Sequence, residues 1–339
     1  MRTRQSMDRN AIVTIADENF LPAACCTLVS TKGQLPADRH VELILVATDV
    51  SEAAASKASE FLASHNIDAR IMMVDSREML QGDLRTDDQW PHSAYMRLRL
   101  DILLGPDFDK VLYLDADTRV MAPVAPLFET ELGDQPLAAV KDIYMYVQER
   151  LVPLNRRLGS PDETDYFNSG VMLLNWPVVL RKRILSGALE SALKFKTTDQ
   201  DALNVVVRGQ FVPVDPRWNL IHYYYLNGGT RQAWKKHYNG EKPWSARRPR
   251  IWSEDAEWFR ELLSRSPWPH FVARRTPITR FRARDVRSRI RNYNRVLGSL
   301  LVPFLLSSSA KVRAARFLQF SPQNVVTTAH SWMEHPDER

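Results

Sequence analysis

An α/β fold, with a mostly parallel, mixed sheet flanked by helices, is what this sequence predicts, and three observations carry the expectation. The first 75 residues alternate apolar strand patterns with helical ones. The strand patterns are continuously apolar, as in strands covered on both faces. A further apolar strand, KVLYL, breaks off abruptly into Asp115 and Asp117. Strand–helix–strand repeats of this spacing are joined by right-handed crossovers, which make the strands parallel and put helices on the sheet's faces.

In chain order, AIVTIA (11–16) reads as a buried strand, LPAACCTLVST (21–31) as a mostly apolar helix and VELILVAT (41–48) as a second buried strand. SEAAASKASEFLASH (51–65) has a helix former at most positions and Ser51 as its N-cap, and ARIMMV (69–74) is a third strand. SAYMRLRLDILL (93–104) is the helix before the strand that ends at Asp115. Strands at 137–142, 166–175 and 210–215 follow, with a long helix running to about residue 195 between the last two. No internal repeat is present.

Composition sets the outer limits. With 339 residues, 44% hydrophobic and 25% charged, the chain can bury one large core or two modest ones. The basic opening runs into a segment that carries charge too early for a secretory h-region. The longest uncharged apolar run, VLGSLLVPFLL (296–306), is too short to span a bilayer and contains Pro303, although binding to a membrane surface stays open. Cys25 and Cys26 are adjacent in an apolar helix, which suits small core residues of a reduced, cytoplasmic protein.

The chemistry starts at Asp115 and Asp117. Side chains two apart on an extended chain point the same way, and two carboxylates leaving a strand end together are best reconciled by a divalent cation with oxygen ligands. In open α/β sheets ligands collect beyond the carboxyl ends of the strands, where this pair and also Asp17 and Asn19 would lie. Asp17 has a second reading as the N-cap of the following helix. There is no Gly-x-Gly-x-x-Gly and no Walker A lysine, so phosphate must be held by other means. The segment HYNGEKPW (237–244) offers them: a tight loop that brings His237 to the metal and Lys242 to a phosphate, with Gly240 letting backbone approach the ligand. An imidazole beside two carboxylates tilts the preference from Mg2+ toward Mn2+.

Six blocks, IVTIADENF, YMRLRL, VLYLDAD, YFNSGVMLLN, TTDQDALN and HYNGEKPW, occur in the order and near the spacing of family 8 glycosyltransferases, and the chain resembles that family over about residues 11–262. The resemblance implies a GT-A type nucleotide-sugar-binding domain. It implies an enzyme that moves a hexose, galactose or glucose, from a uridine diphosphate sugar (UDP-hexose) to a saccharide acceptor with retention of configuration, using Mn2+. By the same resemblance Asp115, Asp117 and His237 are the metal ligands, Asp17 and Asn19 the uracil contacts, and Gly240 and Lys242 the diphosphate contacts. Arg97 lies over the donor, Asn168 and the Gly170 backbone line the hexose pocket, Asp199 takes a sugar hydroxyl and Gln200 stands beside the anomeric carbon. An amide is a poor nucleophile, which favours same-face attack by the acceptor hydroxyl over a covalent enzyme intermediate. One departure stands out: only Glu241 separates Gly240 from Lys242, where the family more commonly has two residues. The segments 144–164 and 221–236 align with nothing, and such regions shape the acceptor site in the family.

Each residue also has a plainer reading. Arg97 and Arg99 fit a solvated helix face, Asn168 a turn, and Asp199 the cap of the helix DQDALNVVVRG. LYLDADT further fits an Asp-x-Asp-x-Thr phosphohydrolase with Asp115 as nucleophile, but that fold needs an acidic metal pair later in the chain, and GDLRTD (82–87) precedes the strand. A non-catalytic membrane-binding homologue is the other alternative. The tail motivates it: between Arg274 and Arg316 twelve Lys and Arg residues face Asp285 alone, a net +11, which leaves −5 for the remainder of a chain of net +6. Apolar residues from Phe281 to Leu305 interleave with this charge, which suits an anionic membrane surface and does not suit nucleic acid. The expected organisation is therefore a catalytic domain over 1–266 and a basic, amphipathic extension over 267–339. The expected setting is a peripheral enzyme on the cytoplasmic face of a membrane, extending lipopolysaccharide core or another lipid-linked glycan.

Overall fold

In the computed structural model the described residues are 9–36, 40–86, 91–142, 144–145, 150–221, 233–240, 242–246, 248 and 252–274. Strands β1 (Asn10–Ala16), β2 (Val41–Thr48), β3 (Ala69–Val74), β4 (Lys110–Leu114), β6 (Leu137–Lys141), β7 (Phe167–Asn175) and β8 (Val212–Pro213) form one seven-stranded sheet in the order β3-β2-β1-β4-β7-β6-β8. A second sheet has the order β5-β10-β9, from β5 (Thr118–Val120), β9 (Leu220–Ile221) and β10 (Lys235–His237). All pairings in the large sheet are parallel except those of β7, which runs antiparallel to both β4 and β6. The prediction of a mostly parallel, mixed sheet holds.

The continuous apolar strands are buried on both faces, and alternate residues divide between two cores. Ile12 and Ala16 of β1, with Leu112 and Leu114 of β4, pack under the helices α1 (Leu21–Lys32), α2 (Glu52–Ser64) and the last helix of the described chain, Ser253–Leu263. Ala11, Val13, Val111 and Tyr113 face the opposite core, which is closed by the helical turns of 92–103, by Trp176 and by two further helices, Ile184–Phe195 and Asp199–Val207. Ser51 caps α2 as expected, its side chain accepting from the Ala54 N–H. Cys25 and Cys26 are fully buried, and burial pushes both thiols up, so they serve as core residues.

Several elements depart from the sequence reading. The single helix expected over 93–104 is three short pieces, with a 3-10 turn at Met96–Arg99 in the middle. The long helix before residue 195 is interrupted by Arg183, which takes a positive φ of 52° between Trp176–Arg181 and Ile184–Phe195. The strand expected over 210–215 pairs only at Val212–Pro213, an edge position where proline's missing N–H is tolerated. Packing also continues past Ser266: Trp268, Phe271 and Val272 lie on the first core, and the Ala273 N–H donates to the Trp244 carbonyl at 2.9 Å. The basic extension beyond Arg274 lies outside the described residues. Among the described residues no helix is long and apolar enough to cross a membrane.

Candidate active site

The site forms where β4 stops. Leu114 is the last paired residue, and the chain turns through Asp115, Ala116 and Asp117 into β5. Several bonds hold that turn. The Asp115 N–H donates to the Gly170 carbonyl at 3.0 Å, the Thr118 hydroxyl donates to the Asp115 carbonyl at 2.8 Å, and the buried Thr27 hydroxyl of α1 reaches the carbonyls of Ala116 and Thr118 at 2.9 and 2.8 Å. Thr27 is a contribution the sequence did not announce, because nothing in an apolar helix marks one buried hydroxyl as a clamp on a loop some ninety residues away.

His237 arrives by strand pairing, which corrects the loop placement expected for it. It is the last residue of β10, opposite Thr118 of β5, and the Tyr238 N–H extends the ladder to the Asp117 carbonyl at 2.9 Å. Its Nε2 stands 3.5 Å from Asp115 Oδ2 and 3.4 Å from Asp117 Oδ1, and its Nδ1 meets Asn219 Oδ1 at 2.9 Å. One ligand atom from each of Asp115, Asp117 and His237 lies within 4.8 Å of the others. Two carboxylates and an imidazole with a fixed outer partner form a donor set that fits a divalent ion of the Mn2+ or Mg2+ type. Gly170 makes this closeness possible, because a Cβ there would stand 2.4 Å from His237 Cε1 and 2.8 Å from Asp115 Oδ2.

Positive side chains surround the carboxylates. Arg97, in the 3-10 turn Met96–Arg99, is buried, not solvated. It donates to Asp115 Oδ1 at 2.8 Å, to Asp199 Oδ2 at 3.0 Å and to the Ser169 hydroxyl at 3.0 Å, and its guanidinium lies 4.7 Å over the Tyr113 ring. Burial opposes charge on Arg97, but Asp115 and Asp199 outweigh it and hold the guanidinium protonated. Lys242 bonds to Asp117 and, at 2.8 Å, to the Tyr238 carbonyl. Burial disfavours ionised Asp117 too, yet Lys242 and His237 keep its carboxyl well below the ordinary range. Behind His237 the Lys235 ammonium, 1% exposed, donates to the Gly170 carbonyl at 3.4 Å, and burial lowers it to about 7.

Asn168 and Gln200 belong to one hydrogen-bonded chain. Asn219 Nδ2 donates to Asn168 Oδ1 at 2.8 Å, and Asn168 Nδ2 donates to Asp142 Oδ2 at 3.0 Å. Gln200 Nε2 donates to the same Asp142 oxygen at 3.0 Å, while Gln200 Oε1 accepts from the Ser169 N–H at 3.1 Å. Sequence reasoning passed over Asp142 and Asn219; the only signal for Asp142 was its position at a strand end, and Asn219, the last residue of the 3-10 turn Pro216–Asn219, carried none. Asn168 is thus bonded into the network, and its Oδ1 also accepts from the Gly170 N–H two residues on at 3.0 Å. The cap of the helix at Asp199–Val207 is Thr198, which leaves Asp199 free to face Arg97. At the end of β1, Asp17 is not the N-cap either: it accepts from the N–H groups of Asn19 and Phe20 at 3.1 Å and from the Ser93 hydroxyl at 3.0 Å. Asn19 is exposed beside it. Gly240 has a φ of +83° with open space where a Cβ would be, so a backbone turn requires the glycine.

Comparisons with known proteins find sugar transferases. The lipopolysaccharide 1,2-glucosyltransferase of Escherichia coli K12 is 31% identical over 53% of this chain, which spans 56% of that enzyme's length. The lipopolysaccharide 1,3-galactosyltransferase of Salmonella typhimurium is 25% identical over 78% of this chain and 80% of its own. The crystal structure of the galactosyltransferase LgtC, in complex with donor and acceptor sugar analogs, superposes with a TM-score of 0.64 at 26% identity, covering 77% of this chain and 99% of LgtC. The phosphohydrolase reading finds no support among them. The model of glycosyl transferase family 8 matches residues 11–248, which takes in every candidate site residue, and the chain belongs to that family.

Proposed function

We propose that this glycosyltransferase moves a hexose, glucose or galactose, from a UDP-sugar to a saccharide acceptor with retention of configuration, the acceptor being lipopolysaccharide core or another lipid-linked glycan. The observation that carries the reading is the convergence of Asp115, Asp117 and His237 with the Arg97–Asp199 pair and the Asn168–Asp142–Gln200 chain at one sheet edge. The lipopolysaccharide glucosyl- and galactosyltransferases among the relatives support the choice of sugar and acceptor.

In this reading Asp115, Asp117 and His237 hold Mn2+, or Mg2+, which when bound neutralises charge on the diphosphate. Lys242 and Arg97 contribute positive charge beside the developing diphosphate, where preorganised groups act most strongly. Asp17 and Asn19 at the end of β1 take the uracil, and the turn at Gly240 sets Lys242 toward the phosphates. Asn168, the Gly170 backbone and Asp199 line the hexose pocket. Gln200 has both ends of its amide committed, to Ser169 and to Asp142, which suits a fixed contact near the anomeric carbon and favours same-face attack by the acceptor hydroxyl. The extension beyond Arg274 would hold the enzyme on the cytoplasmic membrane face.

A thermal-shift panel of nucleotide sugars with and without Mn2+ tests the donor assignment, since a ligand that binds the folded state raises Tm. UDP-glucose or UDP-galactose should raise Tm in a Mn2+-dependent way, and Asp117→Asn should abolish the shift while preserving the fold. An equal response to adenosine and guanosine diphosphate sugars, or none to any, overturns the assignment.

A further inference from the structure

β10 presents two faces. His237 and Lys235 point toward the Asp115/Asp117 pair, while Lys236 and Tyr238 point the other way, as alternation along an extended chain requires. On that far side both meet Asp255, which is fully buried in the first turn of the helix Ser253–Leu263. Its Oδ1 accepts from Lys236 Nζ at 3.0 Å, from the Tyr238 hydroxyl at 2.9 Å and from Arg119 Nη1 at 3.1 Å, and Lys236 Nζ lies 3.0 Å from Oδ2 as well. Arg119 is the middle residue of β5, paired directly with Lys236, and it packs 4.3 Å over the Trp258 ring of the same helix. The residues gathered by this one carboxylate therefore bracket His237 on both sides and follow Asp117 by two.

Docking of the helix does not require the charge. Ala256, Phe259 and Leu263 are themselves buried, and Phe259 and Leu263 join the first core. A buried ionic cluster gives little stability over well-packed apolar groups, and its best-attested use is to fix register. We propose that Asp255 is a positioning residue for the metal-ligand set: from behind the small sheet it locks β10 against β5 and so fixes His237 relative to Asp117. The proposal rests on the reading of Asp115, Asp117 and His237 as metal ligands.

The test uses the full-length protein labelled with 15N-histidine, the His237 ring signal being assigned by its loss in His237→Gln. Two readouts are taken: that ring signal in metal-free protein, and Mn2+ affinity from the paramagnetic signal of free ion. Asp255→Asn should shift or broaden the ring signal and weaken Mn2+ binding about 10-fold or more, as loss of an outer-shell partner does. Tyr238→Phe, which removes one bond and preserves the ring, should move both readouts the same way by less, and it decides the matter if Asp255→Asn does not fold. Leu263→Ala, a cavity in the same helix, should lower Tm and move neither. A lowered Tm with an unmoved ring signal in the Asp255 variant, or an equal shift in Leu263→Ala, makes Asp255 merely structural and overturns the proposal. If the wild type binds no Mn2+, the metal reading fails, and the ring signal alone decides whether Asp255 positions His237.

Discussion

Gly170→Ala probes the tightest point of the site. The added methyl would stand 2.4 Å from His237 Cε1, 2.7 Å from His237 Nδ1 and 2.8 Å from Asp115 Oδ2, all inside ordinary contact distance. Neither neighbour can retreat without loss, because His237 is tied to Asn219 at 2.9 Å and Asp115 to Arg97 and the Tyr113 hydroxyl at 2.8 and 2.7 Å. Overpacking of this kind costs about 1–3 kcal/mol. The strain falls on two of the three candidate ligands, so Mn2+ affinity should fall along with Tm. Gly187→Ala is the matched control: it lies inside the helix Ile184–Phe195 and its Cβ would make ordinary contact with Val206 at 3.7 Å. That change should stabilise by about 0.5–1 kcal/mol through the helix backbone and leave the site alone. Urea unfolding with Mn2+ titration reads both variants. Wild-type stability and metal affinity in Gly170→Ala would refute the packing argument.

Lys235→Met in metal-free protein should raise stability in a pH-dependent way. The folded-state ammonium is lowered to about 7 from the ordinary 10.5, so between those values the unfolded chain binds more protons and wild-type stability rises with pH. The penalty is full below pH 7 and fades toward 10.5, so the advantage of the methionine variant, on the order of a few kcal/mol, should be largest near pH 6 and vanish at alkaline pH. The Gly170 carbonyl is not orphaned by the change, since the Asp115 N–H still donates to it at 3.0 Å. A pH-independent difference in urea midpoints would count against a buried ammonium. Truncation after Arg274 should preserve the donor-induced Tm shift and abolish salt-sensitive binding to anionic liposomes. Failure of the full-length chain to bind such liposomes at low salt would remove the membrane role.

The sequence by itself determined the sheet, the metal-ligand candidates and the family resemblance. Continuous apolar runs such as AIVTIA and VELILVAT can only be satisfied by cover on both faces, and a run ending in Asp-x-Asp marks a strand end wherever the strand sits. What it could not show was anything depending on a partner distant in the chain. Apart from the resemblance, Arg97 reads as a solvated helix residue until Asp115, Asp199 and Ser169 are brought to it. His237 reads as a loop residue until β5 pairs with β10, because a three-residue strand carries too short a pattern to announce itself. The same holds for Thr27, Asp142, Asn219 and Asp255, whose roles lie wholly in which buried donors and acceptors meet them. A lone polar residue in an apolar stretch must find a partner, and the identity of that partner is fixed by tertiary packing and not by local sequence.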